Sequence, residues 1–165
     1  MTLPTPPTAR RKVTALLALI AAATLGPAAW ADDDKSSSRA PLLPKFQQEC
    51  GACHAPYAPG LLPAASWQRV MGGLGKHYGT DASLDAATTG ELTTWLLANA
   101  GTGKRGREAP PEDRITRAAW FTREHREVSA ATWRLPAVKS ASNCAACHTQ
   151  ADQGTYRERD IRIPR

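Results

Sequence analysis

Two short stretches decide the fold: Cys50-Gly51-Ala52-Cys53-His54 and Cys144-Ala145-Ala146-Cys147-His148. Each reads Cys-x-x-Cys-His, the spacing at which a c-type haem is attached. Thiols about one helical turn apart can each form a thioether to a haem vinyl group, and the next residue puts an imidazole under the iron as its proximal ligand. The two stretches use all four cysteines of the chain, which makes the pair far more specific than a single match. A thioredoxin-like redox pair would call for a βαβ pattern nearby, and none is visible. A four-thiolate zinc site would have to bridge roughly 90 residues of intervening chain, beyond usual zinc-ribbon spacing. Neither zinc bound by four thiolates nor a disulfide would use the two histidines.

Upstream lies an address. Arg10, Arg11 and Lys12 form a positive segment, Val13 to Leu25 is an apolar run, and Ala29-Trp30-Ala31 is a small-x-small cleavage site. Residues 1–31 therefore read as a secretory signal peptide. The apolar run is short for a membrane span and ends in Gly26-Pro27; retention as an anchor is the alternative. Haem is attached after the unfolded chain is exported, so the expected location is the periplasm. The remaining chain, Asp32 to Arg165, carries 18 Lys+Arg against 15 Asp+Glu, or +3. The whole-chain charge of +6 overstates its basicity, and nucleic-acid binding gains no support.

A large polypeptide core is not expected. The chain holds only two Phe and three Tyr, and 9 of its 13 Pro and 11 of its 12 Gly fall after residue 31 and interrupt its elements. A domain this small usually needs a staple. Two covalent porphyrins would supply it.

The expected organisation is a polar leader at 32–43, a first haem-binding half at 44–103, a linker at 104–113 and a second half at 114–165. Pro44 opens a short helix through Phe46 and Glu49 into the first motif, and Pro56 and Pro59 mark a loop. Trp67, Val70, Met71, Leu74 and Tyr78 recur with helical spacing, predicting a helix from Pro63 or Ser66 to a stop at Gly79. A further helix is predicted from about Ser83 to Ala100. Gly101 to Asp113 is polar and rich in Pro and Gly, the best candidate boundary. Ile115 to Val128 reads as a helix, Ser129 to Lys139 as a loop, and Ser140 or Ser142 as the cap of a short helix carrying the second motif. The class is all-α: short helices packed around two haems.

Two histidines remain, one for each iron. His77 lies 23 residues after His54, and His125 lies 23 residues before His148, so the halves are mirrored in order rather than repeated. Met71 is the rival sixth ligand of the first iron, on the same predicted helix as His77. A vacant site is the alternative at the second. Direct pairing (His77 with His54, His125 with His148) is favoured by proximity, and crossed pairing stays open. Two imidazoles give a low-spin, six-coordinate iron suited to electron transfer and closed to small molecules. A methionine ligand would raise the potential.

The chain resembles the dihaem cytochrome c family of proteobacterial periplasms. The resemblance is carried by Glu49-Cys50-x-x-Cys53-His54, Tyr57-x-Pro59-x-Leu61-Leu62-Pro63, Ser66-Trp67 and His77-Tyr78-Gly79. It continues through Arg114-Ile115-Thr116, Trp120-Phe121-x-x-Glu124-His125, Asn143-Cys144-x-x-Cys147-His148 and Ile161-Arg162-Ile163-Pro164. It implies an all-helical electron carrier with two covalent haem c groups, both irons bis-His ligated, with His77 and His125 distal. It also implies an oxygen-binding monohaem cytochrome, sphaeroides haem protein, as acceptor and a membrane cytochrome b as donor.

Three functions compete. A periplasmic carrier without catalysis of its own is the leading expectation. A dihaem peroxidase or small-oxyanion reductase needs an open iron, and there are enough histidines to close both. A redox or gas sensor needs one labile ligand, and His77, close to three glycines, would be the looser. Lys104, Arg105 and Arg107 form a basic cluster that could face an acidic partner; a solvated linker is the plainer reading.

Overall fold

A computed structural model of the chain describes residues 1–2, 41–106 and 108–165. The signal segment, most of the 32–43 leader and Arg107 lie outside the described residues. Among those residues there is no strand; two isolated β-bridges, His77–Thr80 and His148–Ile161, are the sheet-like pairing. The fold is all-α, as the sequence indicates, with many of its helical pieces single 3₁₀ turns.

Helix α1, Pro44–Gly51, starts with proline at its first turn, where the missing N–H costs nothing, and its last turn delivers Cys50. Helix α2 spans Ala64–Gly72 and ends at Gly73, whose N–H bonds to the Val70 carbonyl at 3.1 Å. The predicted helix runs further, to Gly79. The Gly72-Gly73 pair breaks it, a 3₁₀ turn at Leu74–Lys76 follows, and His77 stands beyond that turn rather than on the helix. Helix α3, Ala86–Ala98, is capped by Asp85, whose side chain accepts from the Thr88 N–H at 2.9 Å. Within the expected linker, Gly103–Gly106 forms a short α4.

The second half is more broken. The helix expected over Ile115–Val128 divides into a 3₁₀ turn at Ile115–Arg117 and α5 at Ala119–Glu124, with His125 as its C-cap. The expected loop holds a short α6, Ala130–Trp133, capped by Ser129 through the Thr132 N–H at 3.1 Å. The second motif sits on a 3₁₀ turn, Cys144–Ala146. The charged tail folds back on it: Arg162 N–H bonds to Cys147 O at 2.8 Å and Thr149 N–H to Asp160 O at 3.3 Å.

The core belongs to the first half. Phe46 of α1, Trp67 and Met71 of α2, and Leu92 and Leu96 of α3 form one buried cluster with Leu42 and Leu62. Leu92 and Leu96 are fully buried, each side chain adding about 1.5–3 kcal/mol of transfer free energy. The Trp67 indole N–H donates to Pro59 O at 2.7 Å, which pins the proline loop to α2. Gly101 closes the same region: its N–H meets Leu62 O at 2.7 Å, and a Cβ there would lie 2.7 Å from Gly60 O. By contrast, from residue 114 onward the buried hydrophobic residues are Ala118, Phe121, Val138 and Ala151. The described residues from 41 onward fall in one compact unit, so the two expected halves share it. Tyr57 O–H donates to Ser142 O at 2.7 Å across them, and a side chain at Gly154 would meet Leu42 at 3.1 Å.

Candidate functional site

Four histidines arrange themselves as two facing pairs. The His54 and His77 rings have centroids 6.2 Å apart and planes 20° apart. The His125 and His148 rings are 6.1 Å apart with planes at 73°. A first-row metal takes an imidazole nitrogen at about 2.0 Å, and that nitrogen lies about 1 Å from its ring centre. Two imidazoles on opposite sides of one metal atom are therefore roughly 6 Å apart. Both pairs have that spacing, and each joins the histidine of an attachment motif to one of the two spare histidines. His54 faces His77 and His125 faces His148, rather than the crossed combinations.

The rings are oriented for such a role. His54 Nδ1 lies 2.8 Å from Ala55 O, and His125 Nδ1 lies 2.9 Å from Phe121 O. A carbonyl only accepts, so each Nδ1 carries the proton and leaves the Nε2 lone pair for a metal. His125 is held further by Phe121, stacked at 4.0 Å, and by Trp133 at 6.0 Å. Burial, with His54 close by, lowers the pKa of His77; burial, with His125 close by, lowers that of His148. Both shifts favour the neutral ring, the ligating form. His148 Nδ1 is buried without a partner.

His77 opens a tight turn: its carbonyl accepts from Thr80 N–H at 3.0 Å, with Tyr78 at φ 51° and Gly79 at φ 99°. Glu112 and Asp113, which face Tyr78, are also left-handed at φ 56° and 54°. Such residues cost about 1–3 kcal/mol each and persist only where their surroundings hold them. Here the Tyr78 hydroxyl donates to the Glu112 and Asp113 carbonyls at 3.2 and 3.1 Å, and the Arg114 guanidinium lies 4.4 Å from the Tyr78 ring centre. Arg69 grips Asp113 through two bonds of 2.8 and 2.7 Å, which holds that carboxyl below its ordinary range. A cleft of about 220 Å³ opens beside His77, bounded by Arg69, Val70, Gly73, Lys76 and Tyr78. The sequence offers no local signal for this clamp, because Glu112 and Asp113 lie more than 30 residues from the turn they hold.

The rival chemistries fare poorly. None of the four cysteines forms a disulfide. Burial pushes the Cys50 and Cys144 thiols up to about 11 and raises Cys147 too, whereas a redox-active Cys-x-x-Cys pair needs a depressed thiol. Among the described residues no three His, Cys, Asp or Glu side chains converge on one point, so a zinc site has no ligand set. A haem asks of the protein only what is present twice: two thiols for the vinyl groups and two imidazoles for the axial positions. Met71, the sequence's rival ligand, packs in the core cluster instead. Of the basic cluster, Lys104 is exposed and Arg105 lies 4.8 Å from the Trp120 ring centre, partly buried, so Arg105 is tied to α5.

A family model described as dihaem cytochrome c matches residues 46–156. The chain belongs to the dihaem cytochrome c family. It thus carries two covalently bound c-type haems. The cytochrome is similar to the diheme cytochrome c of Shewanella baltica OS155, with 33% identity over 73% of this chain and 92% of that one, TM-score 0.64. It is also similar to the diheme cytochrome c of Rhodobacter sphaeroides, with 42% identity over 69% and 96% of the two chains, TM-score 0.62. A second Rhodobacter sphaeroides structure, of purified DHC, gives 41% identity, the same coverage and a TM-score of 0.59. Among curated proteins, none matches the chain. No helix among the described residues is long and apolar enough to cross a membrane.

Proposed function

We propose that this dihaem cytochrome is a periplasmic electron carrier whose two irons are each closed by two histidines. His54 and His77 take the first haem, attached at Cys50 and Cys53. His148 and His125 take the second, attached at Cys144 and Cys147. The observation that carries the reading is the pair of ring separations, 6.2 and 6.1 Å. Each haem supplies a one-electron ferric/ferrous couple. The chain's part is to keep that couple fast and clean. Fixed imidazoles on both faces leave little to reorganise between oxidation states. They also leave no position for oxygen, peroxide or an oxyanion, which is why the reading excludes catalysis. Ligation by imidazole rather than thioether places both couples toward low potential. The redox partners belong to the proposal as the family resemblance implies them: an oxygen-binding monohaem cytochrome as acceptor and a membrane cytochrome b as donor.

The test is an anaerobic reductive titration of the mature protein followed by exposure to carbon monoxide. Two electrons taken up per chain, low-spin spectra in both states and no carbon monoxide adduct are expected. An adduct on one haem would move the reading to an enzyme or sensor. One observation favours the sensor as second reading: the His125 ring is bonded to Phe121 O, while among the described residues no comparable ring hydrogen bond holds His77.

A further inference from the structure

We propose that Tyr78, Asp113 and Arg69 are positioning residues for His77, and that they set how often the distal ligand of the first iron lets go. The inference rests on the carrier reading above and adds what governs one of its axial ligands.

The two distal histidines are held differently. The His125 ring is fixed directly, by Phe121 O at 2.9 Å and by the Phe121 ring stacked at 4.0 Å. The ring contacts of His77 are its partner His54 and the edge of Tyr78, the latter with centroids 4.9 Å apart and planes 61° apart. Its direction therefore depends on the turn it opens, and that turn is strained. Four non-glycine residues among those described have positive φ, and three of them, Tyr78, Glu112 and Asp113, meet at one contact. Backbone of this kind persists only when its surroundings hold it. The hold comes from elsewhere in the chain. The Tyr78 hydroxyl donates to the Glu112 and Asp113 carbonyls, and Arg114 lies over the Tyr78 ring. Arg69 of α2 ties the Asp113 carboxylate by two bonds, at 2.8 and 2.7 Å. Helix α2 is itself fixed in the core by Trp67 and Met71. A continuous line of contacts thus runs from a core helix to the residue beside His77.

Two loops can meet without strain. Strain kept in place next to a ligand marks a positioning device. Groups that orient a metal-bound histidine also set how tightly it binds. Loosening the clamp therefore frees His77 and leaves His125, with its own ring contacts, as it is.

The experiment is cyanide uptake by the fully oxidised holoprotein. At saturating cyanide, a closed ferric iron takes up the ion only as fast as its distal histidine leaves. His125→Ala exposes the second iron at once, so the slow phase left in that variant belongs to the first iron and assigns the phases. Y78F keeps the ring and loses both carbonyl bonds; R69M keeps a long stem and loses the ion pair. Each should speed the first-iron phase by roughly tenfold, the scale on which outer-shell partners of metal-bound histidines act. The second-iron phase should not change. D113N keeps an acceptor for Arg69 and a residue type that tolerates left-handed backbone, and should fall between R69M and wild type. K45M removes an exposed ion pair to Glu91, outside the clamp, and should match wild type in both phases. Wild-type first-iron rates in both Y78F and R69M, with two low-spin spectra retained, would overturn the clamp and leave the carrier reading standing. Equal acceleration at both irons, the mark of general loosening, would do the same. A high-spin iron in the wild-type protein would overturn the carrier reading, and the clamp's role with it.

Discussion

His125→Ala opens the second iron: the reduced variant binds one carbon monoxide per chain where the wild type binds none. His77→Ala does the same at the first iron. The effect is all-or-none at the altered site because the chain's four histidines are all used in the two pairs, leaving no other imidazole to fill the vacancy. His125 faces His148 at 6.1 Å from the end of α5, and its ring neighbours there are Phe121 and Trp133, neither of which can ligate. At the first iron Met71 is the one soft donor on the neighbouring helix, but it is 6% exposed and packs with Leu92 and Leu96. Met71→Leu, a volume-conserving change, should leave both spectra untouched and serves as the control. Visible spectra with and without carbon monoxide decide the matter. If neither alanine variant binds the gas, the distal assignment is wrong. If Met71→Leu binds it, methionine was the ligand.

The second large effect is on folding. The chain prepared without haem should show no cooperative thermal transition by circular dichroism, and its second half should lose amide protection outright. From residue 114 onward the longest helix is the six residues of Ala119–Glu124. Helices shorter than about 12–15 residues do not hold in water without packing. The packing available there is four buried hydrophobic residues, two of them alanines. His125 and His148 face each other across the space a porphyrin would fill, so removing it removes the common partner of α5 and the second motif. The first half keeps the Phe46–Trp67–Leu92–Leu96 cluster and should retain part of its helix. A single sharp transition in haem-free protein would show that the polypeptide core suffices.

Much of this was legible in the sequence because the signals were local. Cys-x-x-Cys-His is read within five residues, and Pro44 marks the start of α1. The failures were also physical. The apolar spacing from Trp67 to Tyr78 continued past Gly72-Gly73, and periodicity does not register the cost of two glycines. The Ser129 cap of α6 was present as Ser129-x-x-Thr132 but stood inside a stretch with too few apolar residues to suggest a helix. Proximity along the chain favoured direct pairing of the histidines but left crossed pairing open, because spacing does not encode how the chain folds back. The Tyr78–Glu112–Asp113 clamp and the Tyr57–Ser142 bond join residues 34, 35 and 85 positions apart, where no periodic pattern reaches.

The two histidine pairs differ in one respect that a spectrum can read. The His54 and His77 planes are 20° apart, and the His125 and His148 planes are 73° apart. Near-parallel imidazoles split the iron d orbitals and give a rhombic low-spin signal. Crossed imidazoles leave those orbitals nearly degenerate and give a strongly anisotropic one. The most direct measurement is therefore the low-temperature electron paramagnetic resonance spectrum of the fully oxidised protein. Two low-spin signals of equal weight are expected, one of each kind. A high-spin ferric signal from either iron would contradict bis-His closure of both sites.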